Sequence, residues 1–137
     1  FTKIVGYGNH VYTGYTKSQM SIPEMLKYKF LLDLEGNDVS TGLKWKLASK
    51  SVILMKKPTC FSWLMEDKLI EYVHYVPLKD DFSDLFDKYE WCLNNLDKCD
   101  EIIKNANEYI NNFLNEENEL FLEKEIIKIY TNNLIIT

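Results

Sequence analysis

The segment of residues 27–55 most constrains the fold, because its polar and apolar pattern changes twice within a short length. Large apolar side chains alternate with polar ones over residues 28–34, which predicts a strand. After Gly36 the apolar residues recur at helical spacing, and an apolar, β-branched run at residues 51–55 predicts a second strand. A strand, loop, helix and strand of about thirty residues is the size of a parallel crossover unit. We therefore expect an α/β fold with a small, mostly parallel sheet.

The predicted first strand has two unlike faces. The large apolar side chains share one face and the charged ones share the other: Tyr28, Phe30, Leu32 and Leu34 against Lys29, Asp33 and Glu35. This alternation of faces is typical of a strand.

The loop between the first strand and the helix is a candidate anion site. The first N–H groups of a helix lack partners within it, and the helix dipole makes that end positive, so a phosphate finds donors there. Gly36 permits close backbone approach, and Ser40 and Thr41 add hydroxyl donors. Many such loops carry a glycine, so the spacing leaves open an anion site or a plain structural turn.

Several blocks of the chain resemble the CAP10-like, or family 90, glycosyltransferases. The longest is YKFLLDLEGNDVSTGLKW, and its EGNDV motif most resembles that of the bacterial lipopolysaccharide-type members. Further matches follow in the family's order: SKSVIL at 49–54, Trp63, Met65 and Glu66, HYVPLK at 74–79 and DFSDL at 81–85.

The resemblance implies a fold and a reaction. The chain, residues 1–137, would be one α/β domain, the Rossmann-like C-terminal half of a GT-B enzyme, with C-terminal helices at residues 98–137. That half holds a UDP-sugar donor, and the reaction is inverting transfer to a hydroxyl of a glycan, lipopolysaccharide or protein, without a cofactor or essential metal. The family's catalytic base is an aspartate of the N-terminal half. We see no equivalent here, so we expect the chain to bind the donor without catalysing transfer alone.

The resemblance also assigns binding residues. The loop contacts the donor diphosphate, Lys44 approaches the phosphates, and Glu66 either accepts hydrogen bonds from the sugar or packs within its loop. The predicted donor-binding residues are Gly36, Asn37, Asp38, Val39, Ser40, Thr41, Lys44 and Glu66. Several eukaryotic relatives carry an arginine, a bidentate phosphate ligand, at the position of Gly42. Without it, the leaving group would depend on backbone amides, Lys44 or the other half of the enzyme.

Composition restricts which other functional classes the chain can belong to. A net charge of -5 argues against a general nucleic-acid binder. No apolar run approaches the roughly twenty residues of a membrane span, and no leader is visible, so we expect a cytoplasmic protein, or a secretory one if eukaryotic. Three cysteines favour reduced thiols over a disulfide framework, and His10 and His74 belong to no zinc cluster.

The remaining segments predict ordinary structure. We expect an edge strand at residues 1–5 and a glycine-rich turn at 6–9, and a third strand at residues 72–78 that contains His74. Asp81 is expected to cap the helix that follows it. Two helical stripes are expected to face the core: Ile102, Ile103, Ala106, Tyr109, Ile110 and Phe113, then Leu120, Ile126, Ile127 and Tyr130.

Two other functions stay open. A domain of the same fold could serve as a non-catalytic nucleotide-binding or interaction module. A dehydrogenase or methyltransferase fragment is disfavoured, because no GxGxxG follows a strand.

Overall fold

The computed structural model describes residues 20–134. The predictions for residues 1–5 and 6–9, and the position of His10, lie outside the described residues. In chain order the elements are α1 (Ile22–Met25), β1 (Phe30–Leu32), α2 (Leu43–Leu47), β2 (Val52–Lys56), a 3₁₀ turn (Glu66–Lys68), β3 (Val76–Leu78), α3 (Leu85–Asn94), α4 (Leu96–Asn111) and α5 (Glu116–Asn133).

The described strands form a parallel sheet in the order β1-β2-β3. Phe30 pairs with Val52 across the first ladder, and Leu54 pairs with Val76 across the second. Pro77 lies in the edge strand β3, where its missing N–H is tolerated. The predicted α/β fold with a small parallel sheet is confirmed.

Both faces of the central strand β2 are covered. Ile53 and Met55 belong to a cluster formed with α2 and the C-terminal part of α4. Val52 and Leu54 belong to a second cluster, formed with α3, β3 and the N-terminal part of α4. Such two-sided burial is usual for parallel strands and explains the continuous apolar run in β2.

Helix α4 crosses the amino edge of the sheet. Near its start Asp100 pairs with Lys29, just before β1, at 3.4 Å. Further along, the amide of Asn107 donates to the carbonyls of Leu47, at 2.7 Å, and Ser49, at 2.9 Å, which precede β2. This placement leaves the opposite, carboxyl edge of the sheet to the loops that follow the strands.

The first strand differs from the prediction in length and in which residues it buries. Asp33, on the charged face, is 3% exposed, whereas Leu34, on the apolar face, is 45% exposed. The reason is that α2 and its neighbours cover the face on which Asp33 lies, and the ammonium of Lys46 on α2 pairs with the carboxylate. An alternating pattern predicts a strand that is packed on one face only, whereas this strand is packed on both faces.

The third strand is also shorter than predicted, and His74 lies outside it. Residues 72–74 form a turn in which Tyr72 has a φ of 58° and its N–H donates to the carbonyl of Tyr75 at 2.7 Å. Nδ1 of His74 accepts the N–H of Ile70 at 2.9 Å, and burial lowers the pKa of His74. The imidazole therefore closes a turn instead of pointing from a strand.

The predicted cap of α3 is wrong. The carboxylate of Asp81 accepts the N–H of Ser83 at 3.0 Å, within a turn that ends before the helix. The residue that precedes the helix is Asp84, whose carboxylate accepts the N–H of Lys79 at 2.9 Å. Local side-chain bonds to the backbone compete with capping and delay the helix by one turn.

The C-terminal helices begin at Leu96 rather than at residue 98, and the two predicted stripes differ in outcome. Side chains of the first stripe enter the core through Ile102, Ala106 and Ile110. The second stripe, on α5, is wrong as a core face, because its four side chains are each more than half exposed. Other elements already cover both faces of the sheet. None of the helices within residues 20–134 is long and apolar enough to cross a membrane.

Candidate functional site at the carboxyl edge of the sheet

The loops after β1 and β2 meet at the carboxyl edge of the sheet, where open α/β sheets bind ligands. A cavity of about 10 Å³ lies between them, no larger than one water molecule. A ligand larger than a water molecule would therefore lie across its rim and not inside it. The lining residues are Asp33, Glu35, Val39, Ser40, Leu43, Met55, Lys56, Pro58, Cys60 and Glu66.

A buried ion pair anchors the loop to the end of β1. The ammonium of Lys46 lies 2.5 Å from the carboxylate of Asp33 and 3.1 Å from the carbonyl of Leu32. The hydroxyl of Ser40 donates to the same carboxylate oxygen at 2.7 Å. Sequence reasoning missed Asp33 and Lys46; the signal was an acidic residue directly after an apolar strand.

The loop of residues 36–41 lies ahead of helix α2 and does not form its first turn. The carbonyl of Asp38 accepts the N–H of Gly36 at 3.2 Å, and the carboxylate of Asp38 accepts the N–H of Val39 at 2.7 Å. These local bonds hold a turn in place of a helix. The expectation of a helix opening with these amides is wrong. Helix α2 has five residues, so its dipole is small.

Part of the loop backbone has donors to offer. Within residues 20–134, the N–H groups of Asn37, Ser40 and Thr41 have no protein acceptor. Asn37 and Thr41 are exposed, and Ser40 is half-buried. Two or three neighbouring amides of this kind can bind an anion without a helix.

Lys44 and Trp63 lie against each other. The ammonium of Lys44 is 4.6 Å from the centre of the Trp63 ring, a cation–π distance. Trp63 packs edge-on against Phe113, with ring centres 5.7 Å apart, yet it remains 55% exposed. The contact joins the first turn of helix α2 to the loop after β2.

Glu66 supports its own loop. It is 2% exposed, and its carboxylate accepts the N–H of Ser62 at 2.6 Å and the hydroxyl of Ser62 at 2.7 Å. Both oxygens are thus engaged beside the cavity. This position favours a packing role, and contact with a sugar stays a prediction.

Glu35, which sequence reasoning did not assign, ties the two loops together. Its carboxylate accepts the N–H of Thr59 at 2.9 Å, the hydroxyl of Thr59 at 2.7 Å and the N–H of Cys60 at 3.1 Å, and Lys56 lies at 3.9 Å. Burial raises the pKa of Glu35, but these hydrogen bonds and the Lys56 charge outweigh burial and leave the pKa below its ordinary value.

Gly42 lies close to the buried cation. A Cβ added at Gly42 would lie 3.3 Å from the ammonium of Lys46, so any larger residue requires that side chain to shift. The positive charge of Lys46 thus lies beside Gly42, but Asp33 already neutralises it. In the part of the chain that the structure describes, no three His, Cys, Asp or Glu side chains are placed to hold a metal ion.

The chain matches one protein family over nearly its whole length. The family model for glycosyl transferase family 90 matches residues 7–135. The chain is 40% identical over 116 residues to O-glucosyltransferase LpsA of Dichelobacter nodosus. The matched region covers 85% of the chain and 36% of that protein. It is 31% identical over 119 residues to protein 179R of Invertebrate iridescent virus 6, covering 82% of the chain and 10% of that protein. Protein O-glucosyltransferase 2 of Danio rerio is 28% identical over 83 residues, covering 61% of the chain and 16% of that protein. The chain therefore spans little more than a third of the first of these relatives and less of the others.

Proposed function

Since the chain belongs to glycosyl transferase family 90, we propose that it is the donor-binding part of an enzyme that transfers a sugar from a UDP-sugar to a hydroxyl acceptor. The acceptor class is a glycan, a lipopolysaccharide or a protein. Two of its relatives are named O-glucosyltransferases, which supports glucose as the sugar. The proposed fold is the Rossmann-like C-terminal half of a GT-B enzyme.

The unpaired amides at the carboxyl edge of the sheet carry the proposal. A diphosphate needs several converging donors, and the N–H groups of Asn37, Ser40 and Thr41 have no protein acceptor within the described chain. Lys44 supplies a nearby positive charge that Trp63 holds in place. The hydroxyl of Ser40 donates to Asp33 and is thus engaged within the protein, so we assign the contact with the donor to the amide of Ser40 instead.

Inverting transfer requires three things: a base for the acceptor hydroxyl, support for an oxocarbenium-like centre and neutralisation of the departing diphosphate. The loop amides and Lys44 neutralise the departing diphosphate. Neither Glu35 nor Glu66 suits the role of base for the acceptor hydroxyl, because hydrogen bonds within the loops occupy both carboxylates. We place the base on a part of the enzyme outside this chain, and we assign no metal or other cofactor to the reaction.

Calorimetric titration with UDP tests the donor site. We expect UDP to bind and uridine, which lacks the diphosphate, to bind at least tenfold more weakly. Lys44→Ala should weaken UDP binding by about tenfold, since a hydrogen bond to a charged group contributes about 1.5–3 kcal/mol. Ser40→Ala should weaken it too, by freeing the loop from Asp33.

Lys50→Ala is the matched control, because Lys50 is an exposed lysine before β2, at the opposite edge of the sheet. Equal affinity of the Lys44 and Lys50 variants, or no heat with millimolar UDP, would contradict a donor site at this loop. The small cavity favours the second candidate function, a non-catalytic interaction module, and the same null result would support it.

A further inference from the structure

Tyr109 ties helix α4 to the loop that carries Trp63. Its hydroxyl donates to the carbonyl of Leu64 at 2.7 Å and to the carbonyl of Met65 at 2.8 Å, the two residues that follow Trp63. Burial, followed by the charges of two nearby carboxylates, raises the pKa of Tyr109 to about 12, so the hydroxyl keeps its proton and remains a donor at neutral pH. A helix on the far side of the domain thus holds this loop by its backbone.

The backbone of Met65 is strained at the point where Tyr109 holds it. Met65 has a φ of 53° and a ψ of 54°, in the left-handed region that a residue with a Cβ rarely adopts. Strained backbone of this kind persists where surrounding contacts over-determine it, and it is concentrated at ligand sites. The carbonyl of Met65 accepts the N–H of Lys68 at 2.8 Å as well as the hydroxyl of Tyr109, and these bonds hold the turn.

The ring of Tyr109 also reaches Trp63, through Phe113. The ring centres of Tyr109 and Phe113 are 5.3 Å apart, and those of Phe113 and Trp63 are 5.7 Å apart. Because Trp63 remains 55% exposed, burial alone does not fix its ring. The ring contacts and the bonds to the loop carbonyls therefore set its position together.

The other end of the same loop is fixed to the end of β1. The carboxylate of Glu35 accepts the N–H of Thr59 at 2.9 Å and the N–H of Cys60 at 3.1 Å. Glu35 directly precedes the proposed donor loop of residues 36–41. Trp63 is thus flanked by held residues on both sides, and a segment that is already ordered loses less freedom when a ligand binds.

Trp63 in turn holds Lys44, whose ammonium lies 4.6 Å from the ring centre. A lysine side chain has a flexible four-carbon stem and loses rotamer freedom when a ligand immobilises it. A contact that orients the ammonium beforehand lowers this cost. We propose that Tyr109 is a positioning residue of the donor site, which fixes Trp63 and, through it, the charge of Lys44 for the diphosphate. The diphosphate as the ligand of Lys44 rests on the proposed function.

Calorimetric titration of Tyr109→Phe with UDP tests the inference, because this change removes the hydroxyl and keeps the ring. We expect UDP binding to weaken about threefold, within the range of about twofold to tenfold that the ordering of one long side chain costs. Uridine, which lacks the diphosphate, should bind both proteins equally. Tyr89→Phe is the matched control, since the ring of Tyr89 on α3 packs against Phe30 in the cluster on the other face of the sheet. It should bind UDP like the parent.

A double variant separates positioning from a loss of stability. If Tyr109 acts through Lys44, Tyr109→Phe should not weaken UDP binding further in a protein that already carries Lys44→Ala. A purely structural role would lower the unfolding midpoint of Tyr109→Phe and leave the UDP affinity of the folded protein unchanged. Phe113→Leu, which removes the ring between Tyr109 and Trp63, is a second variant and should weaken UDP binding by a similar factor.

The indole N–H signal of Trp63 in nuclear magnetic resonance gives a readout that needs no UDP. It should shift in Lys44→Ala and in Tyr109→Phe, and not in Tyr89→Phe. The inference is overturned if Tyr109→Phe leaves this signal in place, or if it weakens UDP binding by the same factor with and without Lys44. Absence of UDP binding by the parent would reject the proposed function, whereas UDP binding that is equal in the parent and Tyr109→Phe would reject the inference alone.

Discussion

Asp33 determines how the end of β1 meets the loop. Its carboxylate, 3% exposed, pairs with Lys46 and accepts the hydroxyl of Ser40. A buried ion pair adds little net stability relative to apolar residues, yet the loss of one partner is costly, because the other charge remains without compensation. The pair therefore fixes the position of the loop more than it stabilises the fold.

Asp33→Ala should lower the free energy of unfolding by about 3–5 kcal/mol, because Lys46, whose side chain is 12% exposed, would lose its partner. Asp100→Ala is the control: it breaks the exposed pair with Lys29 and should cost no more than about 1 kcal/mol. Urea unfolding measures both. The double variant Asp33→Leu with Lys46→Met should recover most of the loss, and failure to recover would show that charge is not the cause.

Glu35 makes stability depend on pH. Its pKa is lower in the folded protein than the ordinary value of 4.5, so its contribution is present above that value and is lost as pH falls through the folded pKa. Urea unfolding between pH 6 and pH 2.5 should show Glu35→Gln less stable than the parent at the upper end and equal at the lower end. Glu108→Gln, on the exposed surface of α4, should show no such convergence. A constant difference across the range would argue against the predicted linkage.

Helix α4 holds the two sides of the domain together. Its N-terminal half packs in one hydrophobic cluster and its C-terminal half in the other. Asn107 adds a specific link, since its amide bonds two carbonyls between α2 and β2. Helix α5, by contrast, buries no residue within the described chain.

Asn107→Ala should destabilise the protein by about 1–3 kcal/mol, because the carbonyls of Leu47 and Ser49 would lose a donor in a half-buried position. Asn111→Ala, at the exposed end of the same helix, should change stability by less than about 0.5 kcal/mol. Thermal unfolding compares them. Equal effects would mean that helix propensity and not the link to the carbonyls sets the cost.

The chain as a whole matches only part of the length of its relatives. It covers 36% of the length of LpsA. Its carboxyl edge offers donors for an anion, and the carboxylates assigned or found there each already accept a hydrogen bond from the chain: Asp33, Glu35, Asp38 and Glu66. Binding and catalysis should therefore separate in this protein.

The isolated chain should release no UDP from UDP-glucose above the uncatalysed rate, with or without sugar acceptors, because the proposed catalytic base lies outside it. A coupled assay for UDP measures this, with a full-length O-glucosyltransferase as the positive control. Turnover by the chain alone would place a base among its own residues and would reject the division proposed above.

The pattern along the chain was sufficient to predict the strand, loop, helix and strand unit, the parallel sheet and the family. These follow from local periodicity and from blocks of adjacent residues, which need no distant contact to be recognised. The pattern also located the loop of residues 36–41, but not its conformation, because the bonds made by Asp38 compete with the helix only through their geometry.

Tertiary contacts decided the rest. The burial of Asp33 depends on Lys46 thirteen positions away, and the tie made by Glu35 depends on Thr59 twenty-four positions away. The exposure of α5 depends on which elements already cover the sheet. An apolar stripe or a charged residue specifies a preference for a kind of neighbour, and only the folded chain supplies the neighbour itself.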